Sequence, residues 1–200
     1  MSTKVAAPEG AKSSKTGYLG SIPMGPPDAI LGIAQAFREC KDPNKVNICV
    51  GAYRDADGNP WVLPSVRAAE QKMLESDVKK EYAPIDGDAN YVSLALKFAY
   101  GAGLDMATTA AVQTLSGTGA CRIGGEFFSR FLPKGTKIYV PSPTWGNHIK
   151  IFQDCGLDVE RYRYYDKKTN GLDLNGMLED IKNAPEGSII LLHVSRNTYY

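Results

Sequence analysis

Val112-Gln-Thr-Leu-Ser-Gly-Thr-Gly119 is the stretch from which the rest of the chain can be read. Val112 to Leu115 reads as a short apolar strand. Ser116, Gly117, Thr118 and Gly119 then make a tight turn, and Ile123, Phe127, Phe128 and Phe131 recur behind it on the apolar side of a helix. In such a strand–turn–helix unit the glycines let the backbone approach a ligand. The hydroxyls and the open amides of the first helical turn converge on one point, where the positive end of the helix dipole favours an anion. The same residues also read as an ordinary helix cap. They are not a Walker loop, because no Gly-Lys-Ser/Thr follows, and they are not a complete G-x-G-x-x-G.

Downstream of the turn, Ile138–Val140 reads as a strand and Thr144–Cys155 as a helix. Val159–Tyr164 follows as a strand with a polar alternate face, 175–183 as a helix and Ser188–Leu192 as a buried strand. Strands alternating with helices predict an α/β fold with a mostly parallel sheet. Upstream, Ile30, Ile33, Ala34 and Phe37 give a helix that ends at Cys40. Val46–Val50 reads as a strand, and Asp57-Gly58 as a turn between two extended pieces. Pro64 opens a helix with Val66, Ala69 and Met73 on one face. Residues 87–100 make a further helix closed by Gly101 and Gly103. Residues 1–16, rich in Ala, Ser, Lys, Gly and Pro, lack the large apolar side chains that packing needs and read as a disordered arm.

The 200 residues are 43% hydrophobic and 22% charged, with 23 basic against 22 acidic side chains. Nothing in that balance points to nucleic acid or an acidic membrane. No apolar run approaches the roughly 20 residues that span a bilayer. Cys40, Cys49, Cys121 and Cys155 include no Cys-x-x-Cys pair, so they read as reduced, mostly buried thiols rather than a disulfide frame. With only His148 and His193 available, no zinc spacing emerges.

Three further motifs carry chemistry. Pro141-Ser-Pro-Thr-Trp145-Gly-Asn-His148 follows a strand directly, where open α/β sheets bind ligands. Trp145 there could stack on a flat ring and His148 could bond a partner behind it; equally, they could be a core tryptophan and a surface histidine. Gly51, in Val50-Gly-Ala-Tyr-Arg54, is either a backbone donor to a substrate or a turn glycine. Tyr82 is either a phosphate donor or a packing residue.

In this order, the four motifs resemble the aspartate aminotransferases, class-I, fold-type-I enzymes that use pyridoxal 5′-phosphate (PLP). The likeness runs from Met24-Gly-Pro-Pro-Asp-Ala-Ile-Leu-Gly32 to His193. It includes Val62–Arg67, Val112-Gln113, Arg161-Tyr-Arg-Tyr-Tyr-Asp166, Gly171-Leu-Asp173 and Ala184–Ser188. The resemblance implies a three-layer PLP-binding large domain, incomplete here, at 61–193. It implies part of the small domain at 26–60, an arm at 1–25 and a divergent tail at 194–200. Ser116, Gly117 and Thr118 would hold the cofactor phosphate. Trp145 would stack on the pyridine ring and touch the substrate carboxylate. His148 would stand behind the pyridine-nitrogen aspartate. Gly51 would donate a backbone N–H to the substrate, and Tyr82 would reach the neighbouring subunit's phosphate. The implied partners are dicarboxylic amino and keto acids and a second subunit in a homodimer. The implied reaction converts L-aspartate and 2-oxoglutarate to oxaloacetate and L-glutamate. Met24–Gly32 looks like the mitochondrial branch; the arm, without arginine, argues for the cytoplasmic alternative.

After His193 the resemblance stops. Where the family has an Ala-Cys-Ala-His-Asn-Pro-Thr-Gly-like loop, this chain reads Val194-Ser-Arg-Asn-Thr-Tyr-Tyr200. Asn197 lies near the family's asparagine, but its flanks differ and it takes no role. Val-Ser is also how a read-through splice donor would be translated. The Schiff-base lysine, the pyridine-nitrogen aspartate and the substrate arginines fall beyond the match. The expectation is therefore no catalytic residue, weak non-covalent PLP binding and no transamination by these residues alone. The alternative is a non-catalytic isoform paired with full-length subunits. A sheet cut partway also predicts open edges and marginal stability.

Overall fold

The computed structural model describes residues 17–22, 29–47, 51–101 and 103–193. The expectations for residues 1–16, Cys49, Asn197 and the 194–200 tail lie outside them, as does most of the 46–50 strand. The chain divides into two compact units, residues 1–80 and 81–200.

In the first unit a short 3-10 helix, Tyr18–Ser21, precedes α1 (Ala29–Glu39). Lys45 closes α1 from outside: its Nζ donates to the carbonyls of Phe37 at 2.9 Å and Cys40 at 2.6 Å. A cation at a helix C-terminus is favoured by the dipole. Cys40 itself is exposed, contrary to the expectation of a buried thiol. Around Asp57-Gly58 an isolated antiparallel bridge joins Arg54 to Pro60. Asp55 Oδ1 gathers the amides of Asp57 and Asn59, and Gly58 takes φ +80. Helix α2 (Pro64–Glu75) begins with proline at its first position, where the missing N–H costs nothing. No residue of α2 is buried, and Val66 and Met73 of the expected apolar face stand in water.

The second unit opens with α3 (Ala89–Tyr100). It starts at 89 rather than 87 because Asp88 is its N-cap, the carboxylate accepting from Tyr91 N–H at 2.7 Å. It stops at Gly101, whose φ of 76 ends the helix. Then come α4 (Ser116–Phe131), β1 (Lys137–Ser142), α5 (Gly146–Asp154) and β2 (Asp158–Arg163). A small hairpin, β3 (Tyr165–Asp166) with β4 (Gly171–Leu172), leads to α6 (Leu174–Asn183) and β5 (Ile189–Ile190). The expected strand at 112–115 does not form. Its backbone pairs with no strand among the described residues; Gln113 bonds instead to the loop before α3.

The sheet is parallel, in the order β2-β1-β5, with Ile138 opposite both Val159 and Ile189. Two matching turns deliver the paired strands β1 and β5. Pro133-Lys-Gly-Thr136 and Pro185-Glu-Gly-Ser188 each close a 3.1 Å bond from the hydroxyl residue's N–H to the proline carbonyl. Gly135 and Gly187 take φ +83 and +82 in them, a conformation that favours glycine. Ile138, Val140, Phe152 and Leu157 form the core, with Cys121, Phe128, Ile149 and Val159 packed on it. Phe128 is thus the only one of the four expected apolar α4 residues in that cluster. Ile123, Phe127 and Phe131 are exposed, and the buried stripe of α4 runs through Cys121, Gly125 and Phe128. Arg163 ties β2 to α6: its backbone N–H and guanidinium both bond Asp180, and the guanidinium also reaches Glu179 at 2.6 Å.

Candidate functional site

At the start of α4, Leu115 is the N-cap and offers no side-chain bond to the helix. Ser116 sits at φ 58, a left-handed conformation that turns the chain sharply into the helix. Ser116 N–H is held by Thr114 C=O at 3.0 Å, and Gly119 N–H reaches back to Leu115 C=O at 3.1 Å. The opening amides of any helix lack an intrahelical carbonyl. Here those of Gly117 and Thr118 come before the Gly119 bond. Ser116, Gly117 and Thr118 are exposed, and a Cβ built at Gly117 meets nothing within 4 Å. The turn borders a cavity of about 410 Å³. Gln113, Thr114, Ser116 and Gly117 line one side of it, and Tyr91 and Leu96 of α3 line the other.

The second cluster follows β1, across a cis Ser142–Pro143 peptide bond. Trp145 is the N-cap of α5 and is half-buried. Its ring meets His148 edge-on, with centroids 5.2 Å apart. His148 Nδ1 lies 2.9 Å from the Thr144 hydroxyl, which fixes the plane of the ring. His148 also packs against His193, at 5.1 Å and nearly perpendicular, and over Phe152 at 6.3 Å. Burial, with His193 beside it, lowers the His148 pKa from its ordinary value and so favours the neutral imidazole. His148 is itself half-buried rather than fully exposed. His193 Nε2 is buried and has no hydrogen-bond partner among the described residues.

The structure therefore brings Trp145 and His148 into contact, and sets Ser116, Gly117 and Thr118 on one helix end. Tyr82 stands fully in water. Gly51 is exposed and belongs to the other unit. Sequence reasoning missed Gln113, Thr144 and His193 as members of the site. Gln113 and Thr144 lay inside quoted motifs, but nothing in their spacing showed which groups they would bond. No cluster of His, Cys, Asp and Glu suited to a metal occurs among the described residues, and no described helix is long and apolar enough to cross a membrane.

The profile of the family described as aminotransferase class I and II matches residues 43–197. The chain belongs to that family. Among the chain's relatives, the mitochondrial aspartate aminotransferase of Xenopus tropicalis is 45% identical over 94% of this chain. The cytoplasmic aspartate aminotransferase of Saccharomyces cerevisiae has the same fold, with a TM-score of 0.81 and 42% identity over 90% of this chain. An aromatic-amino-acid aminotransferase from Burkholderia pseudomallei, solved covalently bound to pyridoxal phosphate, gives a TM-score of 0.80 at 36% identity over 89% of this chain. This chain spans 44%, 44% and 45% of those three proteins' lengths. The expected α/β fold with a parallel sheet holds over the matched length.

Proposed function

We propose that these residues form the cofactor-facing part of a PLP-dependent aspartate aminotransferase. The whole protein would exchange an amino group between L-aspartate and 2-oxoglutarate. One observation carries the reading: the start of α4, whose N-cap offers no side-chain bond, leaves the amides of Gly117 and Thr118 and the hydroxyls of Ser116 and Thr118 on an exposed helix end, with Ser116 and Gly117 lining an open cavity, a donor set suited to a phosphate dianion. A capped helix end would have spent those donors on its own side chains. Ser116, Gly117 and Thr118 would hold the phosphate.

PLP, when bound, supplies the electron sink that loosens the amino acid's Cα–H bond. The protein's own residues orient and screen. Trp145 offers a ring held edge-on by His148, so its face can lie along the cofactor and its indole N–H can meet a carboxylate. His148, with Nδ1 engaged by Thr144, keeps Nε2 for a carboxylate behind the pyridine ring. Gly51 gives a backbone N–H to the substrate. Full exposure of Tyr82 fits a side chain that reaches a second subunit's phosphate, in a homodimer or with a full-length subunit. We assign 26–60 to the small domain and 61–193 to the large one. The name of the Xenopus relative supports a mitochondrial location, and that of the yeast relative a cytoplasmic one.

A polypeptide limited to these 200 residues is expected to bind PLP weakly and not to transaminate. PLP should quench Trp145 fluorescence, an effect lost in Trp145→Phe although Trp61 remains. Pyridoxal, which lacks the phosphate, should bind roughly tenfold more weakly, the effect of losing one or two charge-assisted bonds. Ser116→Ala with Thr118→Val should erase that preference. Equal binding of PLP and pyridoxal by the unaltered chain would reject the phosphate seat. Binding of inorganic phosphate without PLP would favour an unrelated phosphate-binding module.

A further inference from the structure

We infer that Gln113 is a positioning residue that clamps the Ser116–Thr118 turn to the N-terminus of α3 and so sets the cleft between them. The ligand's identity rests on the proposed function; the clamp rests on geometry. Two bonds make it. Gln113 N–H donates to Asp86 C=O at 2.9 Å. Gln113 Oε1 accepts from Asp88 N–H at 3.0 Å. Asp88 is also the N-cap of α3, so one residue holds the helix start on one side and the glutamine on the other.

Gly87, between the two bonded aspartates, is the other half of the clamp. It is buried, at φ +97, and a Cβ there would lie 2.2 Å from Gln113 Cβ and 2.8 Å from Gln113 Oε1. Only glycine tolerates both that conformation and that approach. From Gln113 the path to the seat is short. The Thr114 hydroxyl donates to Ser116 C=O at 3.2 Å, and Ser116 N–H donates to Thr114 C=O at 3.0 Å. Gln113 and Ser116 line the same cavity, opposite the α3 residues. Movement of the turn relative to α3 therefore has to break both glutamine bonds. Since the Gln113–Asp88 bond is exposed, water can replace it, and a substitution loosens the turn rather than unfolding the unit.

The clamp is tested by amide hydrogen exchange on the ligand-free chain. In Gln113→Met, which keeps the length and loses the acceptor, and in Gly87→Ala, the Gly119 and Ala120 amides should exchange roughly tenfold faster, one hydrogen bond's worth. Gln113→Glu, which keeps an acceptor oxygen, should restore the unaltered rates. The β1 amides should not change in any variant. Unchanged rates at Gly119, or equal acceleration in β1, would overturn the clamp. In the ligand arm, the ratio of PLP to pyridoxal affinity should fall roughly tenfold in Gln113→Met and recover in Gln113→Glu. If the unaltered chain prefers PLP and Gln113→Met keeps that preference, the inference fails and the proposed function stands. If the unaltered chain shows no preference, the proposed function fails and the exchange rates alone judge the clamp.

Discussion

Gly125 lies buried on the α4 face that packs against α5. A Cβ there would stand 2.7 Å from Cys155 Sγ and 3.2 Å from Phe152 Cδ1. Gly125→Ala should therefore destabilise by about 1–3 kcal/mol, the usual cost of overpacking. Combined with Cys155→Ala, which removes the nearest atom, the loss in urea denaturation should be smaller than the sum of the single changes. At the same scale His148 sets a pH dependence. Its pKa is depressed in the folded chain, so the unfolded chain binds its proton first as pH falls below 6.5. Stability is full above that value and declines as pH drops toward the folded pKa. The urea midpoint should fall between pH 7 and pH 5, and His148→Phe should flatten that part of the profile. Asp166 and Asp180, held below the usual carboxylate range by Lys168 N–H and by Arg163 respectively, act only in a more acidic window. Trp145 and His148 were legible as a pair because one turn of helix separates them. The His193 contact was not, because it joins residues far apart in sequence.

Among the elements, β1 carries the fold of the second unit: it is the middle strand, and Ile138 and Val140 are almost completely buried. Its existence was legible as an apolar run, and it is longer than the run by three residues because Lys137, Pro141 and Ser142 also pair with β2. For α4 the apolar periodicity marked a face through Ile123, Phe127, Phe128 and Phe131, of which only Phe128 packs on the core. Phe152→Ala, in the core, should cost about 3–5 kcal/mol. Phe131→Ala should change stability by less than about 0.5 kcal/mol, since Phe131 is 72% exposed. Equal losses for the two in thermal unfolding would show that the apolar periodicity, not the packing, marks the buried face. The β3–β4 hairpin went unread because two-residue strands carry no period. Its turn is held by Asp166, which accepts from Lys168 N–H and the Thr169 hydroxyl, and by Asn170 at φ 51.

Across the whole molecule, both units leave large apolar side chains in water. Leu74 and Met73 do so in the first, and Ile85, Phe98 and Leu115 in the second. Exposed apolar surface of this kind drives association. Light scattering on the 200-residue polypeptide should show a mass that rises with concentration at micromolar levels and falls in mild urea. A constant monomer mass would contradict this. The sequence alone determined the alternation of strands and helices downstream of α4, the turn and helix that begin at Ser116 and the family likeness, because each is written in neighbouring residues and their spacing. Tertiary structure alone decided that 112–115 pairs with no described strand, that Gln113 bonds the loop before α3, and that His148 sits against His193. Those contacts depend on where distant segments of the chain meet, and no local period records that.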